Sequence, residues 1–341
     1  MNTHKVTKNA AQLRALTTLD PDEFDRLLKP FKLEFRRHRK MYKIKGKRRR
    51  TPLSSKRLEN PTKYLPTGRD RLLFILLALK TDAIQQHLAA TFEMKQTTVS
   101  QWYNFLLPVL DKALKNLGCK PARDLDELVA ALRESEDKDP FSKHKNGPDD
   151  TKADASLHMD VTGRQIPRNT DSEAQKKDYS GKFSHHAVKN TIICDDHQRI
   201  VYLGPTWRGA IHDKRMADEE LPDLGLLGKY NLWLTLDSGY LGYVPEGVNV
   251  LESQRARRGH PLEKWQIEMN KWVGSVRIIV EHSIGAIKRI NKASRIRTFK
   301  REKADVIMQI AAGLHNLRVA CRKSTYQNSY VRTRARLKPF G

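Results

Sequence analysis

The sequence predicts an all-helical N-terminal region followed by an α/β domain. Between residues 69 and 114, apolar side chains recur at helical spacing in three successive pieces. From residue 154 onward, short runs with alternating or β-branched residues predict strands, the first of them over residues 154–160. A chain of 341 residues is long enough for two or three domains with well-buried cores.

The composition is strongly basic. The chain has 64 Lys plus Arg against 39 Asp plus Glu, a formal net charge of +25, which favours a polyanion such as nucleic acid as partner. The longest apolar run, residues 72–79, is far shorter than the roughly 20 residues of a membrane span, and no secretory signal is legible. We therefore expect no membrane partner and a cytoplasmic protein that associates with the nucleoid through DNA.

The first helix is predicted to begin at Pro21. It lies in an N-terminal segment that we take to comprise residues 1–66. Asp20 can cap this helix, Pro21 suits its first position, and Glu23 can complete a capping box. Leu19 and Phe24 have the spacing of a hydrophobic staple. These signals predict a buried apolar stripe on one side of the helix.

A basic arm, residues 36–50, follows this helix. It has ten Lys or Arg in fifteen residues and no acidic residue. We interpret it as a segment that does not fold by itself and contacts DNA phosphates, with a solvated tail as the alternative. The residues assigned to DNA contact are Arg36, Arg37, Arg39, Lys40, Lys47, Arg48, Arg49 and Arg50.

The three helical pieces within residues 67–120 predict a helix-turn-helix, whose second helix enters the major groove of DNA. Any small helical bundle gives similar apolar stripes, so this alternative stays open on periodicity alone. In the third piece several polar residues lie outside the apolar stripe, and Gln and Asn side chains can bond to adenine. The predicted base contacts are Gln96, Thr97, Gln101 and Asn104.

Two predicted strands of the α/β domain are closed by aspartates, Asp160 and Asp237. Residues 121–150, which precede this domain, are interpreted as an acidic linker. Aspartates at strand ends lie where open α/β sheets bind ligands, and two carboxylates at close range favour a cation between them. Glu281, on a long helix predicted over residues 262–290, is the candidate third carboxylate. For a single strand-terminal aspartate, turn formation or helix capping is the alternative.

These residues resemble the DDE transposases of bacterial insertion sequences, in the group related to the Harbinger transposases. In the pattern Tyr-x2-Arg-x3-Glu-x6-Lys of related transposases, Arg277, Glu281 and Lys288 match, while Gly274 stands at the tyrosine position. The resemblance spans most of the chain and is carried by LLFILLALKTDAIQQHLAATFEMKQTTVSQWYNFLLPVL from Leu72, HMDVTGRQIPR from His158, YSGKFSHHAVK from Tyr179, LDSGYLGY from Leu236 and RIIVEHSIGAIKR from Arg277.

This resemblance implies an RNase H-like (retroviral integrase-like) catalytic domain over residues 151–320, with a five-stranded mixed sheet and helices on both sides, followed by a basic tail over residues 321–341. It implies that Asp160, Asp237 and Glu281 are the catalytic carboxylates and hold two Mg²⁺ per active site, for which Mn²⁺ substitutes. The residues expected to position phosphate are Arg277, Lys288, Lys182, His185 and Lys189. For the last three, ordinary polar residues at a strand edge are the alternative. His212 and Asp213 match a His-Asp pair of the family, which helix capping by Asp213 explains equally well.

The implied activity is that of a metal-dependent endonuclease and DNA strand transferase. One ion activates water and the other stabilises the leaving 3′ oxygen, after which the freed 3′-OH attacks target DNA. The expected partners are the element's terminal inverted repeats, target duplex DNA and a second copy of the chain, as a homodimer or higher oligomer. The alternatives are a non-catalytic domesticated transposase that regulates genes, and an RNA-directed nuclease, which a helix-turn-helix suits less well.

Overall fold

The computed structural model describes residues 3–138, 154–225, 231–256, 259–297 and 300–322. Most of the predicted basic tail, and residues 139–150 of the predicted acidic linker, lie outside these ranges. The chain forms two compact units. The first comprises Met1–Lys120, Ile287–Arg295 and Glu302–Cys321, and the second contains Pro121–Ala286 and Ile296–Arg301.

The helices and strands are numbered in chain order. The helices are α1 (Thr3–Lys8), α2 (Ala10–Thr17), α3 (Pro21–Met41), α4 (Ser55–Glu59), α5 (Gly68–Thr81), α6 (Gln85–Thr91), α7 (Gln96–Asn116), α8 (Leu125–Lys138), α9 (Ser172–Asp178), α10 (Asp213–Glu220), α11 (Lys264–Lys288), α12 (Asn291–Ser294) and α13 (Arg301–Cys321). The strands are β1 (Asp154–Gln165), β2 (Tyr179–Ser180), β3 (His185–Asp195), β4 (Ile200–Leu203), β5 (Trp207–Arg208), β6 (Asn231–Leu236) and β7 (Asn249–Glu252). In the described ranges, no helix is both long enough and apolar enough to cross a lipid bilayer.

Helix α3 begins at Pro21 as predicted. Asp20 and Glu23 form the capping box, and the side chains of Leu19 and Phe24 are fully buried, as a hydrophobic staple requires. Because the box satisfies backbone N–H groups that the first turn leaves unpaired, the start of the helix is fixed by residues close in sequence.

The same helix continues to Met41 and includes the first part of the basic arm. Beyond it, Tyr42 and Arg48 form an antiparallel bridge, and the Lys43 N–H donates to the Lys47 carbonyl oxygen at 2.9 Å. The prediction that the arm does not fold by itself is therefore wrong. The helix face that buries Phe31 and Phe35 continues into the arm through half-buried His38, whose ring is 4.7 Å from that of Phe105. Arg36, Arg37 and Lys40 are exposed on the outer face.

Helices α5, α6 and α7 form the predicted helix-turn-helix arrangement. Four residues join α6 to α7, and two of them, Phe92 and Met94, are buried. The ring of Trp102 stacks on Phe35 with centroids 6.4 Å apart, which ties α7 to α3. Trp102 is thus part of the core, and the polar residues of α7 face away from it.

Helix α13 groups with the first unit, although the sequence predicted one catalytic domain over residues 151–320. The Asn316 side-chain amide donates to the Cys119 carbonyl oxygen at 2.9 Å. Gly313 lies close to Leu114, since a Cβ at this glycine would be 3.2 Å from the leucine side chain. An apolar helical stripe does not indicate which unit it packs against, and this explains the difference.

The second unit is built on a mixed sheet. Neighbouring strands follow the order β2-β3-β1-β6-β7, and β4 and β5 also pair with β3. Strands β1, β6 and β7 are parallel, whereas β3 is antiparallel to β1. The described residues thus give seven strands, two of them only two residues long, where five were predicted.

The two faces of β1 contact different helices. Leu157, Met159 and Val161 belong to a buried cluster with residues of α8 and α10, including Leu128 and Met216. Because successive side chains of a strand point to opposite faces, Asp160 points to the other side of the sheet. A mixed sheet with helices on both faces is compatible with the predicted RNase H-like architecture.

Candidate active site

Asp160, within β1, and Asp237, directly after β6, lie at the same level of two adjacent parallel strands. The register of β1 and β6 pairs His158 with Thr235, so each aspartate follows two residues after this pair. Asp237 follows its strand, as predicted, and its carboxylate accepts the Ser238 N–H at 2.6 Å. The prediction that Asp160 ends its strand is wrong, because β1 continues to Gln165 by pairing with β3.

The guanidinium of Arg277 lies among the three predicted catalytic carboxylates. Its Nη2 is 3.6 Å from Asp160 Oδ2 and 3.8 Å from Glu281 Oε1, and its Nη1 is 3.7 Å from Asp237 Oδ1. Arg277 and Glu281 are one turn apart on α11, which lets both reach the aspartates. The Arg277 side chain is 16% exposed, whereas that of Glu281 is 54% exposed. The fold therefore brings together three carboxylates that are distant in sequence.

A fourth carboxylate, Asp213, lies at the edge of this cluster. Its side chain is 5% exposed, and its Oδ2 accepts a hydrogen bond from Lys182 Nζ at 2.8 Å. Lys182 Nζ is also 3.8 Å from Asp237 Oδ2. Helix α10 begins at Asp213, but its N-cap residue is His212. The Asp213 carboxylate accepts hydrogen bonds from lysines instead, so the explanation of this residue by helix capping is wrong. The family His-Asp pair was the signal that pointed to it.

The other residues predicted to position phosphate have different surroundings. Lys189 is buried, and its Nζ donates to the Ile211 carbonyl oxygen at 2.8 Å and to Asp213 Oδ1 at 3.1 Å. It is therefore not available for a DNA backbone contact. His185 is half-buried in β3, where its ring is 6.0 Å from that of Phe183. Lys288 is the last residue of α11 and groups with the first unit.

Burial and charge shift the acid–base equilibria of the site. Burial raises the pKa of Asp160, and the positive charges of Lys182 and Arg277 oppose this rise. Burial lowers the pKa of Lys182, but the hydrogen bond and charge of Asp213 outweigh it and hold that pKa above its usual value. A cation beside Asp160 therefore favours its carboxylate form.

The donor set fits a hard divalent cation. Carboxylate oxygens are the ligands that Mg²⁺ and Mn²⁺ accept, and three of them surround one position here. In the described ranges no three His, Cys, Asp or Glu side chains are close enough to hold a metal ion as they stand. The guanidinium of Arg277 lies at the shared position, held by contacts of 3.6–3.8 Å, and its Nε is buried without a hydrogen-bond partner among the described residues. A divalent ion would have to displace this side chain.

The predicted base-contacting residues lie along one side of α7. Gln96, Thr97 and Asn104 are exposed and Gln101 is half-buried. The Asn104 Oδ1 accepts a hydrogen bond from Lys303 Nζ at 2.6 Å, so it is engaged within the protein. A groove of about 420 Å³ separates this side of α7 from the turn after α3, and its lining includes Gln101, Asn104, Tyr42, Ile44, Lys45 and Gly46.

The basic arm divides into two sets of side chains. Four of the predicted DNA contacts have partners within the protein: Arg36 with Glu59, Arg37 with Glu34, Arg39 with the carbonyl oxygens of Leu58 and Asn60, and Arg49 with the Arg39 carbonyl oxygen. Arg36 and Arg37 stay exposed in spite of these contacts. The other exposed charges of the arm are Lys40, Lys47, Arg48 and Arg50, together with Lys43 and Lys45, which the prediction had omitted. The exposed charges of the turn are thus the better candidates for phosphate contact.

Two family models match parts of the chain. Residues 65–116 match the family model described as the helix-turn-helix of DDE superfamily endonuclease, and residues 159–316 match that of DDE superfamily endonuclease. A curated relative, "Probable transposase for insertion sequence element IS702" of Microchaete diplosiphon, is 29% identical over 165 residues, which cover 48% of this chain and 56% of that protein. No solved structure matches the chain significantly.

Proposed function

Because the chain belongs with the DDE transposases of insertion sequences, we propose that it cuts the ends of a mobile element and joins the freed 3′-OH to target DNA. The observation that carries this proposal is that Asp160, Asp237 and Glu281 all lie beside one position, which the Arg277 guanidinium occupies. The carboxylates come from a strand, the end of a neighbouring strand and a helix, so chain proximity does not explain their meeting.

The residues of the site have distinct roles in this proposal. Asp160, Asp237 and Glu281 would hold divalent ions, Mg²⁺ or Mn²⁺, which when bound supply Lewis-acid polarisation of the phosphate and lower the pKa of water. Lys182 would pair with a non-bridging oxygen of the scissile phosphate, since its side chain is 42% exposed and borders Asp237. Arg277, once released from the carboxylates, would contact the DNA strand that carries this phosphate.

Both chemical steps are phosphoryl transfers. In the first, water forms a P–O bond and the 3′ oxygen of the element end leaves with a proton as a 3′-OH. In the second, that hydroxyl attacks a target phosphodiester and a target 3′-OH leaves, so that no energy cofactor is required. The regulatory alternative is not favoured, since all three carboxylates are present and converge. The proposed substrate can be identified by sequencing the DNA that flanks the gene for inverted repeats and a target duplication.

We propose that α7 reads the terminal repeats through the major groove. The double variant Gln96→Ala/Gln101→Ala should lose preference for these ends over random DNA, because each good base contact is worth about 1–3 kcal/mol. Footprinting measures this preference, and Gln12→Ala, exposed on α2, is the control. Unchanged protection by the double variant would exclude these two residues as base contacts.

The exposed turn after α3 is proposed to contact phosphates. Replacing Lys45, Lys47 and Arg48 by Gln should flatten the dependence of log affinity on log salt by about 0.9 for each phosphate that the variant no longer neutralises. A matched triple variant at the exposed Lys29, Lys112 and Lys115 serves as control. Equal slopes for the two triple variants would mean that the turn contributes only to overall charge.

We also propose that the active complex contains at least two chains. Cutting two element ends and joining both to one target site requires two active sites. Light scattering of the protein with two end fragments should give a complex of two or more chains that bridges both fragments. A complex of one chain with one fragment, at every protein concentration tested, would contradict this proposal.

A further inference from the structure

Asp213 bridges two lysines at the edge of the candidate site. Its Oδ2 accepts from Lys182 Nζ at 2.8 Å and its Oδ1 accepts from Lys189 Nζ at 3.1 Å. The three side chains come from the turn before β3, from β3 itself and from the start of α10. The carboxylate therefore fixes the position of a lysine in a turn by connecting it to two regular elements.

The bridge also contacts the segment that follows Asp237. A Cβ at Gly239 would be only 3.3 Å from Asp213 Oδ2, so this glycine allows the segment to approach the bridge closely. Lys182 Nζ then lies 2.8 Å from Asp213 and 3.8 Å from Asp237. One side of the ammonium is held by Asp213 while its other side borders the proposed site of chemistry.

Burial and hydrogen bonding distinguish the two lysines. Lys189 is buried and has the Ile211 carbonyl oxygen as a second acceptor, so it serves as a fixed anchor. Lys182 is the lysine with access to solvent, since its side chain is 42% exposed. Two lysines and one aspartate sum to +1, and this positive charge lies 3.8 Å from Asp237, beside the proposed site of the scissile phosphate.

We propose that Asp213 is a positioning residue of the active site, which acts through Lys182 by holding its ammonium against the scissile phosphate. This inference rests on the proposed function. This role differs from helix capping in what it predicts for a pair of substitutions. If Asp213 acts through Lys182, replacing both residues should slow the reaction no more than replacing either one.

The first experiment is a double-mutant cycle on the full chain. Single-turnover nicking of an end-containing duplex is measured for Lys182→Met, Asp213→Asn and the double variant, with Asp218→Asn on the exposed side of α10 as control. Each single variant should slow nicking about 10²-fold, and the double variant should be no more than about threefold slower than either. The proposal would be overturned if the rate reductions of the two single variants multiplied in the double variant. It would also be overturned if Asp213→Asn left the nicking rate unchanged.

The second experiment measures binding without cleavage and uses no Asp213 variant. Such a variant would leave the buried Lys189 ammonium without its counter-ion, so a loss of folding could be mistaken for a loss of positioning. Binding is measured in EDTA to two duplexes, one natural and one with an uncharged methylphosphonate at the phosphate of the element end. Lys182→Met should weaken binding to the natural duplex about tenfold and to the methylphosphonate duplex not at all. Equal weakening on both duplexes would overturn the proposal. Absent nicking by the unmodified protein would instead count against the proposed function.

Discussion

Replacing any one of Asp160, Asp237 and Glu281 by its amide should reduce Mg²⁺-dependent nicking by about 10³-fold or more, which is about 4 kcal/mol of transition-state stabilisation. Two ions held close together require several anionic oxygens at once, so no remaining pair of carboxylates replaces the third. DNA affinity should change little, because the proposed binding surfaces on α7 and the basic turn belong to the other unit. Single-turnover nicking at matched DNA occupancy measures the effect.

The control for these variants is Asp218→Asn. Asp218 is a surface residue of α10 that pairs with Lys214 one turn earlier. Asp195 and Asp196 are less suitable, because Asp195 accepts the His197 and Arg199 N–H groups and Asp196 pairs with buried His158 at 2.9 Å. Full nicking by Glu281→Gln, with the aspartate variants inactive, would show that the third carboxylate is another residue.

Replacing Arg277 by Met should have opposite effects on metal binding and on catalysis. In the absence of DNA, the variant should bind Mn²⁺ at least about tenfold more tightly, because the guanidinium no longer competes for the three carboxylates. Nicking should nevertheless fall about 10²-fold, since the released side chain is proposed to contact the cleaved strand. Titration calorimetry with Mn²⁺ alone measures the first effect and single-turnover nicking the second.

The matched control is Arg215→Met, an exposed residue of α10 that pairs with Glu219. An Arg277→Met protein whose Mn²⁺ affinity equals that of the unmodified protein would show that guanidinium and metal do not share a position. The expected competition also predicts that metal binding is tighter once DNA is bound, because a phosphate then offers the guanidinium another partner.

Features that depend on neighbouring residues were predictable from the sequence alone. The start of α3 follows from Asp20, Pro21 and Glu23, which act within one turn. The placement of Asp237 after β6 follows from a short, mostly apolar run that ends at Leu236. The three carboxylates were candidates because of two predicted strand ends and one long predicted helix, and motif resemblance then implied their catalytic role. The structure brings these three side chains together.

Pairings over long sequence distance were decided only by the tertiary structure. The basic arm contains the end of α3 because the buried face of this helix continues beyond Phe35 through His38, which packs on Phe105 of α7. Asp160 lies inside a strand because β3 pairs with residues on both sides of it, which depends on register. The bridge from Lys182 through Asp213 to Lys189, and the Arg277 guanidinium among the carboxylates, arise where separate elements meet. Local periodicity does not predict such contacts between separate elements. It indicates which face of a helix or strand is buried, and not which element packs against that face.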